Sequence, residues 1–226
     1  MRLPSLPILL SFNAGYVDTL GFLALSGLFT AHVTGNFVTF GATMALGLGG
    51  AASKLLALPV FCAVVFTSRL ACLRLQNSGH SPIRPMLIVK LFLLAGVAVT
   101  AFRHGPFHPE DTSASLVVGM ALVAAMAIQN GLHRAHLGKA PPSTLMTGTT
   151  TQIMLDLADI LSDRKADEIA VAKSRVAKMA STVATFAAGC GIGAAGYMAA
   201  PSVAFILPAA LALVALFASS AAAETV

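Results

Sequence analysis

His32-Val33-Thr34-Gly35-Asn36 opens one apolar stretch of this chain, and Leu145-Met146-Thr147-Gly148-Thr149-Thr150-Thr151-Gln152 opens another. Hydroxyls, an amide and glycine stand where an ordinary membrane span carries Leu and Val. Within a bilayer every backbone polar group needs a partner, so such a stretch is not expected to face lipid. It is expected to line a cavity, or to lie buried as a re-entrant or broken helix.

The surrounding composition sets these stretches in a membrane. Hydrophobic residues fill 57% of the 226 positions and charged ones only 10%. A soluble domain carries about 25% charged residues, so this chain cannot coat itself with a wetted surface. Eight apolar stretches stand out, at about 5–26, 33–49, 54–74, 85–103, 113–133, 143–161, 175–198 and 201–220. Pro82, Pro85, Pro106, Pro109, Pro141, Pro142 and Pro201 mark junctions between them. The one long polar stretch, Asp156 to Lys178, reads as a solvated helix end and loop.

Working outward, the two Thr-Gly starts belong to an internal repeat. Asn13-Ala14-Gly15 precedes Thr34-Gly35-Asn36, and Gln129-Asn130-Gly131 precedes Thr147-Gly148-Thr149. Each half therefore reads as a helix with an amide-glycine, a Thr-Gly start, then two apolar spans. The repeats run about 5–103 and 113–220 within a single membrane domain. If the Thr-Gly stretches dip in and return, the halves are inverted, with three spans each. Twelve of the fourteen basic residues, all but Lys54 and Arg103, then share the cytoplasmic side with both termini. If all eight stretches cross, only eight share it, so the positive-inside rule favours six spans plus two re-entrant elements. The expected fold is an all-α integral membrane protein in an inner membrane. Arg2 and the apolar residues after it mimic a signal peptide, but Asn13 and Asp18 interrupt that run. A retained first helix is expected there.

Inverted repeats with broken helices are how many transporters build a central site, with half-helix N-termini aimed at it. The expected site lies between the two Thr-Gly elements. Thr34, Gly35, Asn36, Thr147, Gly148 and Thr149 would furnish it, with His32 beside them; Asn13, Tyr16, Gln129 and Asn130 would add hydrogen bonds. A small polar solute fits this set, with a lean toward an anion. The alternative is that these residues only knit helices together. Asp18 is ionisable within an apolar span, a position that is costly unless paired or functional. The repeat sets it opposite Arg134, as an ion-pair partner or as a coupling carboxylate.

Other signals are bland. The net charge of +5 follows from basic residues at helix ends, so no nucleic-acid partner is expected. Cys62, Cys72 and Cys190 are spaced like packing residues. His104/His108 and His133/His136 have helical ligand spacing without a completing Cys or carboxylate, so no metal or other cofactor is expected. Gly189-Cys190-Gly191-Ile192-Gly193 lacks the Lys-Ser/Thr of a phosphate loop and reads as close helix packing. An intramembrane enzyme is disfavoured because no acid–base constellation is complete. Oligomeric state stays open, a homo-oligomer included.

Asn13-Ala14-Gly15-Tyr16-Val17-Asp18-Thr19-Leu20-Gly21-Phe22, followed by Ala31-His32-Val33-Thr34-Gly35-Asn36, resembles the bacterial YoaK family, also called DUF1275. Gln129-Asn130-Gly131 with Arg134, and then Leu145-Met146-Thr147-Gly148-Thr149, is similar to the same family. Glycine after the Gln-Asn pair is a mild variation. The resemblance covers essentially the whole chain and implies a multi-pass inner-membrane protein, with no substrate or catalytic residues. The reading is thus a transporter- or channel-like protein; the alternative is a membrane scaffold or accessory subunit.

Overall fold

The computed structural model describes residues 4–107, 113–162 and 165–223, and it is built of α-helices. They are α1 (Leu6–Ala24), α2 (Asn36–Leu46), α3 (Ala51–Asn77), α4 (Ile83–His104), α5 (Ser113–His136), α6 (Met146–Leu161), α7 (Ala166–Ala199) and α8 (Ile206–Ala223). Short 3-10 turns at Val33–Gly35 and Val203–Phe205 lead into α2 and α8. Each apolar stretch expected from the sequence has its helix. Pro7 sits in the first turn of α1, where a missing N–H costs nothing.

Five of these helices, α1, α3, α4, α5 and α7, are long and apolar enough to cross a membrane. The apolar α8 is shorter, and α2 is far shorter. At 11 residues α2 reaches only roughly 16 Å, half the ~30 Å hydrocarbon thickness.

Contacts fix the helix directions. The carbonyl of Leu10 accepts a hydrogen bond from Gln129 Nε2 at 2.8 Å, while Leu25 and Leu28 pack on Gly119. Helices α1 and α5 therefore run antiparallel. Phe186 lies against Gly15, and Gly193 against Tyr16, so α1 and α7 run parallel. The chain turns at the end of α1 through Ser26 (φ 53°) and Gly27 (φ 85°). It comes back to the same place after α2: a Cβ at Gly50 would lie 2.9 Å from Ser26 Cβ. The whole 25–50 connection thus begins and finishes at one end of the molecule. At the other end, residues 138–142 line a groove with Arg175 and Lys178 of α7.

The packing scheme repeats. Helix α1 packs on α7 as α5 packs on α3; α2 lies on α3 as α6 lies on α7; α4 meets α5 as α8 meets α1. The centre is formed by α1 and α5, through Ala14, Val17 and Leu20 with Leu122, Val123 and Met126. Outer faces such as Phe66 and Leu70 of α3 or Ile192 and Met198 of α7 are exposed apolar surface suited to lipid. The α1–α7 seam is tight because glycines meet backbone. A Cβ at Gly15 would fall 2.1 Å from the Phe186 carbonyl oxygen, and one at Gly189 2.2 Å from that of Phe12.

Two expectations need correction. Lys90 is not a charge at the membrane edge: it lies in α4, is fully buried and donates to Gln129 Oε1. Asp18 does not pair with Arg134, which is exposed at the end of α5 opposite the Asp18 end of α1. Antiparallel helices carry aligned C-terminal residues to opposite ends, so the repeat separates the two.

Candidate functional site

The reversal at Ser26-Gly27 lays residues 29–32 back along α1. Asp18, one and a half turns before the helix end, receives them. Its Oδ1 accepts the backbone N–H groups of Thr30 and Ala31, each at 2.7 Å, and the Thr30 hydroxyl at 3.3 Å. His32 Nδ1 donates to Oδ2 at 2.6 Å. The carboxylate is nearly inaccessible, whereas the imidazole is a third exposed. This hydrogen bond to Asp18 raises the His32 pKa above its ordinary value, against burial, which lowers it.

His32 stands at a cavity of about 340 Å³ whose walls include Thr19, Phe22, Phe29, Phe186 and Cys190. Phe22 and Phe29 rings are tilted 4.9 Å apart, and Phe186 meets the imidazole edge-on at 5.4 Å. Asn36 closes the loop from behind: Oδ1 accepts from the Phe29 N–H at 2.9 Å and Nδ2 donates to the Phe29 carbonyl at 2.7 Å. The result is an apolar recess with one polar corner, where the imidazole is held by a carboxylate that is itself saturated.

A second polar centre occupies the other half. Gln129 Nε2 donates to the Leu10 carbonyl and, at 3.1 Å, to Ser143 Oγ, while Lys90 donates to its Oε1. Asn130 Nδ2 donates to Thr144 Oγ1 at 2.9 Å. A similar device recurs: polar side chains of a central helix, a carboxylate in α1 and two amides in α5, gather the connection that follows it.

The expected site residues divide accordingly. Asp18, His32 and Asn36 come together in the first centre; Gln129 and Asn130 form the second. Tyr16 donates to the Ala204 carbonyl at 2.9 Å, a structural tie between α1 and the turn before α8. Asn13 is buried, with neither side-chain atom partnered among the described residues. The shared site between the Thr-Gly elements is not formed. Thr34, Thr147 and Gly148 are exposed, a Cβ at Gly148 would meet nothing within 4 Å, and Gly35 packs on the Phe29 ring. Thr149 bonds back to the Leu145 carbonyl of its own segment at 2.8 Å. Because α2 and α6 approach from opposite ends and pack on different helices, their starts face apart. None of the four cavities described draws on both elements. Sequence reasoning missed Lys90, Thr30 and the three phenylalanines; only Lys90, a cation within an apolar helix, gave a usable signal.

The family model described as "Protein of unknown function (DUF1275)" matches residues 6–218. The chain belongs to the DUF1275 family. It is also 29% identical over 162 residues to the UPF0700 transmembrane protein YoaK of Bacillus subtilis (strain 168), covering 70% of this chain and 68% of that protein. No solved structure matches the chain. Together with its apolar helices, this makes the chain a helical membrane protein, in contact with a lipid bilayer.

Proposed function

We propose that this DUF1275 member is a transporter- or channel-like protein for a small polar solute, working from the Asp18–His32 cavity. The carrying observation is that cavity: an ionisable pair inside the apolar body, with a third-exposed imidazole lining about 340 Å³ of space. Ionisable groups in membrane segments are costly, and a functional role is the default reading for them. An imidazole held through Nδ1 by a carboxylate and lining that space suits a small polar solute, with a lean toward an anion.

The same reading takes six spans, two re-entrant elements and inverted halves, with both termini cytoplasmic in an inner membrane. It is supported by the antiparallel course of α1 and α5, the common end reached by Ser26 and Gly50, and the repeated packing scheme. Arg69, Arg134, Lys139, Arg175 and Lys178 then lie at the cytoplasmic end, Lys54 and Arg103 at the other. The second reading is a scaffold, favoured by the complete satisfaction of Asp18 and by the apolar outer faces of α2 and α6.

Cys190, a native thiol in the cavity wall, tests the choice. In a Cys62→Ala, Cys72→Ala background, transport predicts that a charged, membrane-impermeant thiol reagent modifies Cys190 from one side, and that a bound solute protects it. Failure to react from either side would leave the scaffold reading standing. Loss of solute protection in His32→Ala, with reactivity retained, is the expected signature of the site.

A further inference from the structure

The connection after α5 and the first turns of α7 enclose a second cavity, of about 480 Å³, that the transport reading does not use. Lys139, Pro141 and Pro142 form one wall; Ser174, Arg175 and Lys178 of α7 form the other. Ser174 and Lys178 are four residues apart, so they project from one helix face. Among the described residues no carboxylate lines this cavity. Asp159, Asp167 and Glu168 line a separate one, on the other flank of Arg175. Buried Asp156 accepts from Arg175 Nε at 2.6 Å and fixes the guanidinium against the wall. The two lysines are exposed and hold positive charge toward the groove.

The Pro-bearing wall is set in place by α5. The Ala140 N–H donates to the Leu137 carbonyl at 2.9 Å, and Ser143 and Thr144 are held by Gln129 and Asn130. A groove assembled before its ligand arrives loses little entropy on binding. Its depth is also defined. Lys178 is the last charged residue of α7, and the helix is uncharged from Met179 to Ala199. The groove therefore sits where α7 enters the apolar layer, the level of phospholipid headgroups.

We propose that this groove binds the phosphodiester headgroup of an anionic phospholipid in the adjacent leaflet. Lys139 and Lys178 supply the charge and Ser174 a hydroxyl donor; Arg175 orders the wall from its bond to Asp156. A free phosphate shares this chemistry. The lipid is favoured because Ala140, Val171 and Met179 add apolar floor and the groove opens at the boundary where acyl chains begin.

The test uses the purified full chain in phosphatidylcholine nanodiscs, titrated with short-chain phosphatidylglycerol, short-chain phosphatidylcholine or inorganic phosphate. Phosphatidylglycerol is expected to bind and phosphatidylcholine not to. Lys139→Gln/Lys178→Gln is expected to weaken binding on the order of 20- to 30-fold, taking about a kilocalorie per mole for each cation. Arg103→Gln, at the opposite end, is expected to match wild type. Equal binding of the two lipids overturns the proposal, as does undiminished affinity in the double variant. Full displacement by millimolar phosphate reassigns the groove to a free anion and overturns it too. The wild-type comparison of the two lipids decides the matter even if the double variant does not fold.

Discussion

Asp18 does its structural work through backbone groups. Two N–H donors of the α1–α2 connection end on one carboxylate oxygen, so an apolar residue at position 18 leaves both buried and unpaired. Each such loss costs about 1–3 kcal/mol, and Asp18→Leu should lower the thermal midpoint in detergent clearly more than Asp18→Asn. Equal midpoints for the two variants would mean these bonds carry no stability. His32 adds a pH dependence whose sign follows from its raised pKa. The contribution of the imidazolium is complete below the unfolded histidine value and fades as pH rises through the raised folded value. Wild type should therefore lose stability across that window, and His32→Gln should flatten the slope. Asp18 was legible in the sequence because a carboxylate in an apolar run is conspicuous. Its true partners were not, since backbone N–H groups leave no trace in residue types. Lys90 was counted with the cytoplasmic charges although it falls inside the apolar stretch 85–103, where the structure buries it.

The helices themselves were written in the apolar blocks, and α2 and α6 were marked by their Thr-Gly starts. What those starts face was not legible: Thr34 and Thr147 point outward because each short helix packs on its own neighbour, α3 or α7. The glycine-rich run at 189–193 did announce close packing, and the seam with α1 shows where. At Gly15 and Gly189 a methyl group would strike a carbonyl oxygen of the partner backbone, which has no rotamer to change. Ala at either position should cost about 1–3 kcal/mol or more and broaden the size-exclusion profile. Gly191→Ala is the control, because nothing lies within 4 Å of its Cβ position, and it should behave as wild type. Matching behaviour of all three variants would contradict the tight α1–α7 seam.

At the scale of the molecule, two polar centres lie toward opposite ends of a pair of antiparallel central helices, each fed by a connection that returns to its starting end. The charge distribution leads to the same expectation, since a returning α2 gathers twelve of the fourteen basic residues on one side and a crossing one only eight. The account stands on that return. Single cysteines at Ser5, before α1, and at Ser78, after α3, measure it in a cysteine-free background with an impermeant reagent in sealed vesicles. If α2 returns, only α1 and α3 cross between these positions, and both cysteines label from the same side. If they label from opposite sides, α2 crosses, and the inverted arrangement with its two returning elements is wrong.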